Sequence, residues 1–321
     1  MRHSLISAVA ATVLALPAHA ETRVRLGLDW GYLPYHAPIA LGVDKGYFKD
    51  EGIDLFMEPG RGSASTAIML GEGNYDIAHI NTSNAAVAIS KGVPIRTVAV
   101  YQTRTAASFI GIKGKVKLDS VEAIKGYRIG STPGGSDQLS LRIFRAVNKL
   151  GEMDLDVVSL DANAKQAGLM SGNVQVISGD GFAYGAIIRG TGQEAEIFSL
   201  ADAGVPLMGF GYSVNTKFLE SSPETITAFL RAVKRSWQDA VADPDGTCEK
   251  GRAKLELTHK QDACVDYLKG LMAISDDPAL AGWGARTEAE WSALISTLAE
   301  VGEIQSPGDL ATYYTNALLP N

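Results

Sequence analysis

Short apolar segments alternate with stretches of helical periodicity through the first two-thirds of this chain, and the alternation runs twice. Strands are expected over 24–30, 53–59, 75–80 and 94–102, with helices over 37–52, 65–73 and 83–92 between them. The pattern restarts with a helix over 116–126, strands over 127–131, 154–160 and 174–180, and helices over 136–151, 163–172 and 183–192. A last strand falls within 206–215. Beyond it the sequence reads as nearly all helix, opened by Ser222 as a cap and Pro223 at the first helical position. Strands joined through helices dictate largely parallel sheets. The expected fold is α/β with two lobes, each a mostly parallel sheet flanked by helices, joined by two hinge crossovers. Residues 21–112 would build the first part of lobe one, 113–212 lobe two, and 213–321 a mainly helical return packed on lobe one. A cleft between the lobes would be faced by loops at the carboxyl ends of the strands.

The first twenty residues, MRHSLISAVAATVLALPAHA, carry a short basic start, an apolar run and Ala18-His19-Ala20 before Glu21. That is the pattern of a secretory signal peptide, removed near Ala20. Its apolar run is shorter than the roughly 20 residues a membrane span needs. With no cysteine near the cleavage site to carry a lipid, the expected location is the periplasm. The chain is 46% apolar and 20% charged, with a net charge of −7. No basic cluster points to nucleic acid or to an anionic membrane as a partner, and a monomer is expected. Cys248 and Cys264 are expected to pair in an oxidising compartment, as a local staple far from any ligand. No CxxC is present, and His36, His79 and His259 stand at no metal-ligand spacing, so neither a metal nor a cofactor is expected.

Four loops that follow predicted strands carry candidate ligand-binding residues. In the first, Asp29, Trp30, Tyr32, Tyr35 and His36 crowd three rings, an acid and an imidazole into eight positions. A turn holding Gly31 and Pro34 buries so many rings poorly, whereas a flat ligand would stack on them. In the second, Asn81, Thr82 and Ser83 open a helix, as caps or as ligand contacts. In the third, Thr132, Gly134, Gly135 and Ser136 form a Gly-rich turn whose backbone donors suit an anion or a carbonyl, with Asp137 opposing an anion. It is neither a Walker loop nor GxGxxG. In the fourth, Asp180 ends an apolar strand before Phe182 and Tyr184, and its carboxylate suits an amino group. Tyr101 and Gln102 on the first crossover and Tyr212 on the second are further wall candidates. The competing readings are core packing for the rings and local turn roles for the polar groups. No GxSxG, HExxH or cysteine–histidine signature is present, so no catalytic residue is assigned.

LDWGYLPYHAPIALGVDKGYFKDEGIDL, YDIAHINTSNAAVAISKGVPIRTVAV, IKGYRIGSTPGGSDQLSLR and VNTKFLESSPETITAFLRAVKRSWQDAVADPD together resemble the periplasmic solute-binding proteins of ABC importers. The resemblance is to the thiamine-pyrimidine-like group, which binds pyrimidine precursors and has relatives for sulfonates and nitrate. It covers nearly the whole chain after residue 20. It implies a clamshell fold, no enzymatic activity, a small-molecule ligand and a permease in the inner membrane. By position it puts Trp30 and His36 against a heteroaromatic ring, with Asn81–Ser83 and Thr132–Ser136 lining the cleft. Eukaryotic relatives that form the pyrimidine enzymatically use a cysteine-rich motif, which this chain lacks. The expected function is capture of a small planar (hetero)aromatic solute for uptake. The alternatives are an alkanesulfonate, nitrate or aromatic-acid binder, a pyrimidine-forming enzyme, and a chemosensory partner on the same fold.

Overall fold

The structure, a computed structural model, describes residues 21–133 and 135–320, and of Ala162 and Asn163 the backbone alone. The expected leader, residues 1–20, and Gly134 lie outside the described residues. Among the described residues, ten strands form two five-stranded sheets. In chain order they are β1 (Thr22–Leu28), β2 (Ile53–Glu58), β3 (Ile77–Asn81), β4 (Ile95–Val100), β5 (Ala107–Ile112), β6 (Arg128–Ser131), β7 (Asp156–Ser159), β8 (Val176–Asp180), β9 (Ala195–Ser199) and β10 (Phe210–Asn215). The first sheet runs β2-β1-β3-β10-β4 and the second β7-β6-β8-β5-β9.

β1 pairs parallel with β2 and β3, and β6 pairs parallel with β7 and β8. β10 lies antiparallel between β3 and β4, as β5 does between β8 and β9. Each sheet therefore has four strands in one direction and one reversed, a mostly parallel, mixed α/β arrangement. The reversed strands are those that enter each sheet from a crossover. This reversal positions the site. Phe210, the first residue of β10, sits opposite Asn81, the last of β3; Ala107, the first of β5, sits opposite Asp180, the last of β8. In both sheets the edge where the parallel strands end also collects the start of the crossover strand.

Two strands go beyond the sequence expectation. β5 falls inside the segment read as an extended crossover, and β9 is a half-buried edge strand too short to show a period of two. The expected boundaries shift with them. β5 hydrogen-bonds within the second sheet, so the chain has crossed over before Ala107 rather than at 112, and β10 belongs to the first sheet from Phe210 rather than from 213. The helical return divides as well. The helices Pro223–Ala242 and Pro244–Leu255 pack on the helix Ala37–Asp44 beside the first sheet. The helix Gln261–Met272 packs on both sides, against Pro244–Leu255 and the turn Pro34–His36 of the first and against Gly181–Gly190, the helix that follows β8 of the second sheet. The Phe182 ring covers Gly270 there so closely that a Cβ would stand 2.4 Å from it.

The two crossovers run side by side and bond to each other. Thr105 N–H donates to the Leu207 carbonyl (2.8 Å) and Gly209 N–H to the Gln102 carbonyl (3.2 Å). The Gln102 side-chain oxygen accepts from Phe210 N–H at 3.1 Å. A buried guanidinium, Arg286, ties the end of β4 to the C-terminal segment by donating to the Val100 carbonyl (3.1 Å) and Glu290 (3.1 Å) and pairing with Asp276.

Candidate ligand-binding site

A cavity of about 490 Å³ opens where the carboxyl edges of the two sheets face each other. That volume is in the range of small-molecule sites. Its first wall begins with the turn after β1. Gly60 and Gly62 hold that turn from behind, with their N–H groups on the carbonyls of Trp30 (3.0 Å) and Asp29 (2.7 Å). Position 60 admits only glycine, because a Cβ would lie 1.9 Å from the Leu28 carbonyl oxygen. The Asp29 carboxylate is buried beneath this turn and lines the cavity. It accepts from Tyr35 OH (2.7 Å) and meets His36 Nε2 and His79 Nδ1, each at 3.2 Å. His79 Nε2 in turn reaches Tyr101 OH at 2.8 Å.

The polarity of this relay is fixed from one end. Leu33 N–H donates to His36 Nδ1 at 3.2 Å, so the His36 proton sits on Nε2 and points at Asp29. Burial pushes the Asp29 carboxyl up, but the hydrogen bonds from His36 and His79 outweigh it and hold it well below the usual carboxylate range. Burial also lowers His36, against the raising effect of Asp29. The three donor atoms of Asp29, His36 and His79 lie within 4.8 Å of one another, a spacing that could hold a metal ion. The polarity opposes one: a ligating His36 would need a lone pair on the nitrogen that carries its proton.

Trp30 and Tyr32 line the same wall half-buried. Tyr32 OH is anchored on the Met57 carbonyl at 3.2 Å. Trp30 belongs to none of the hydrophobic clusters among the described residues, whereas Tyr35 packs in the core, stacked on Phe210 with ring centres 5.5 Å apart. Asn81 and Gln102 complete the wall. The Asn81 side chain accepts from Ser83 N–H at 3.0 Å, so Asn81, and not Thr82 or Ser83, caps the helix Thr82–Ser90.

The second wall overturns one expectation. The Gly-rich turn after β6 is filled by the chain's own carboxylate. Asp137 Oδ2 accepts from Thr132 N–H (3.2 Å), Ser131 Oγ (3.4 Å), Ser178 Oγ (3.1 Å) and Lys165 Nζ (3.0 Å). Lys165 is buried, also donates to the Ser178 carbonyl (2.9 Å), and lies 5.0 Å over the Tyr184 ring. Burial alone would lower Lys165, but Asp137 outweighs it and keeps the ammonium charged. Gly135, Ser136 and Tyr184 line the cavity beside this pair. Asp180 caps the helix Gly181–Gly190, with one oxygen on Phe182 N–H (2.9 Å) and Ala183 N–H (3.0 Å), while the other accepts from Tyr267 OH at 2.9 Å. Burial pushes its carboxyl up to about 6 against those hydrogen bonds.

The third wall is the loop between the helices Pro244–Leu255 and Gln261–Met272, which contributes Thr258, His259 and Lys260. Cys248 and Cys264 are bonded in the structure, with Cα atoms 5.9 Å apart, and join the two helices that carry this loop. The bond is thus beside the cavity wall and not far from it, because the loop it closes is the one that turns toward the ligand space.

Seven of the candidate residues stand away from the cavity lining. His36 is fully buried behind Asp29. Thr82 is held by its hydroxyl on the Gly209 carbonyl (2.7 Å), and Ser83 is buried in the helix start. Tyr101 lies beneath His79, Tyr212 packs edge-on to Phe229, and Phe182 is in the helix contact over Gly270. Thr132 is buried, with its N–H committed to Asp137. Sequence reasoning missed His79, Lys165, Tyr267 and the 258–260 loop. A histidine within a wholly buried strand demands a partner, and that was the available signal for His79. Lys165 and Tyr267 find carboxylates 28 and 87 positions away, which no local pattern announces.

The profile of the family described as NMT1/THI5 like matches residues 33–247. The chain is 24% identical to the riboflavin-binding protein RibY of Chloroflexus aurantiacus, over 98% of this chain and 91% of that one. It is 25% identical to the 4-amino-5-hydroxymethyl-2-methylpyrimidine phosphate synthase THI12 of Saccharomyces cerevisiae, over 81% of each. Among solved structures it superimposes on the alkanesulfonate-binding protein SsuA of Xanthomonas axonopodis pv. citri with a TM-score of 0.71, at 14% identity, covering 91% of this chain and 98% of that one. The fold is that of a periplasmic binding protein, as the family resemblance implied.

Proposed function

The chain belongs to the NMT1/THI5-like family, and from that premise we propose that it is the solute-capturing component of an ABC importer. In this reading it works as an exported monomer in the periplasm, closes two lobes on a small planar, nitrogen-containing or aromatic solute, and passes it unchanged to a permease in the inner membrane. The observation that carries the proposal is a single cavity walled by both sheets, into which half-buried Trp30 faces from outside every hydrophobic cluster among the described residues. A solute touching both walls has differential affinity for the closed state, which is what closure requires. The paired crossovers at 101–106 and 200–209 are the natural hinge.

A second reading, a pyrimidine-forming enzyme on the same scaffold, rests on the fungal relatives. Against it, the described hydrogen bonds join no cavity hydroxyl to a histidine ring, and the two cysteines are bonded to each other.

The test uses a compound that survives purification with the protein, identified by mass spectrometry. Trp30→Ala is expected to weaken its rebinding by about tenfold or more. The melting temperature of the unliganded variant should stay near that of the parent. A collapse of unliganded stability with unchanged affinity would make Trp30 a core residue and defeat the proposal. Recovery of the compound chemically converted would favour the enzyme.

A further inference from the structure

We infer that the solute is an organic cation whose protonated nitrogen is held between Asp29 of the first wall and Asp180 of the second. The inference rests on reading the cavity as the solute site, and adds the charge of what it takes.

Two carboxylates open into one cavity from opposite sides. Asp29 is met by two imidazoles and a phenol, and Asp180 by two backbone N–H groups and a phenol. Among the described residues no lysine or arginine pairs with either. The arms that hold them touch. Tyr35, bonded to Asp29, and Tyr267, bonded to Asp180, meet edge to face with ring centres 5.8 Å apart. The two acids are therefore held near each other by aromatic supports, and neither has a lysine or arginine partner among the described residues.

The positive groups on the lining are committed elsewhere. Lys165 is spent on Asp137 and the Ser178 carbonyl. Lys260 stands at the exposed rim, donating to the Gly190 carbonyl at 3.0 Å. The Thr132 N–H of the Gly-rich turn, a donor that could have met an anion, is taken by Asp137. Among the described residues no arginine lines the cavity, although a bidentate arginine is the usual device for a carboxylate or sulfonate. An anionic solute would meet two carboxylates and no arginine; a cation would meet both carboxylates and the rings of Trp30 and Tyr32. Aromatic faces carry negative quadrupoles and add attraction for a cation. Raised titration of the Asp180 carboxyl is what a buried acid awaiting its counter-ion shows.

The discriminating experiment measures thermal shift and calorimetric binding with benzamidinium, benzamide and benzoate. These share a ring and a similar outline but differ in charge. Benzamidinium is expected to bind and raise the melting temperature, benzamide weakly, and benzoate not at all. Asp180→Asn retains an oxygen to cap its helix, so the variant should fold with no loss of unliganded stability. It is expected to lose benzamidinium affinity by about tenfold or more. Benzoate or benzamide binding as tightly as benzamidinium, or an unaltered affinity in Asp180→Asn, would overturn the inference while leaving the binding role standing. Silence from all three probes would count against the cavity as a solute site, and so against both.

Discussion

Replacing Asp29 by alanine is expected to lower the stability of the unliganded protein by roughly 3–5 kcal/mol. The substitution removes one carboxylate but abandons three side chains, because Tyr35 OH, His36 Nε2 and His79 Nδ1 all converge on it. His36 and His79 are fully buried, and Tyr35 is nearly so. Each buried donor left without an acceptor costs about 1–3 kcal/mol. Tyr35→Phe removes a donor without orphaning a charge and should cost about 1 kcal/mol. The effect has a defined pH signature. The folded-state carboxyl of Asp29 is held below its ordinary range, whereas in the unfolded chain it titrates near about 4. Its stabilising contribution is therefore complete above that value and is lost as the pH falls below it. Denaturant titrations of parent and variant should differ most near neutrality and converge in acid. A difference under about 1 kcal/mol at neutral pH would mean that cavity water replaces the carboxylate.

Opening the bond between Cys248 and Cys264 is expected to cost about 3 kcal/mol in the chain-entropy model for a loop of this length, and to weaken solute binding as well. The two cysteines are 16 positions apart and fully buried with Val265 and Leu268. Between them runs the loop that places Thr258, His259 and Lys260 on the cavity. Both ring nitrogens of His259 are buried without a protein partner, and its carbonyl accepts from Arg252 Nε at 2.6 Å. Freed from the tether, this loop would hold its geometry only through such local bonds. Chemical denaturation and calorimetry of Cys248→Ala/Cys264→Ala, measured with benzamidinium, check both effects. Loss of stability with intact affinity would reduce the bond to a staple.

Most of the scaffold was legible because eight of the ten strands are apolar runs bounded by turn residues. β5 was not, because its residues Ala107–Ile112 read equally as an extended crossover; only pairing with β8 and β9 makes it a strand of the second sheet. The loops that line the cavity were legible for a related reason. Asp29, Trp30, Tyr32, Gly135, Ser136 and Asp180 follow strand ends, and in open α/β sheets those ends face the ligand. What the sequence concealed is long-range pairing. Thr132 and its neighbours read as an anion nest, yet whether such a nest is free depends on Asp137 turning back and on Lys165 arriving from another helix. Tyr101 and Tyr212 read as wall residues because they sit at the crossovers, but both side chains turn into the core, where Tyr101 stacks near Trp283 with ring centres 5.8 Å apart. The helix Gln261–Met272 was expected on the first sheet's side alone, and a helical pattern cannot say that a second face will also meet Gly181–Gly190.

A crystal structure of the protein with a molecule it retains on purification tests the central claim most directly. The account predicts a ring against Trp30, with polar contacts to Asp29 on one side and Asp180 on the other. A molecule bound elsewhere, or one touching a single sheet and leaving Trp30 uncovered, would contradict it.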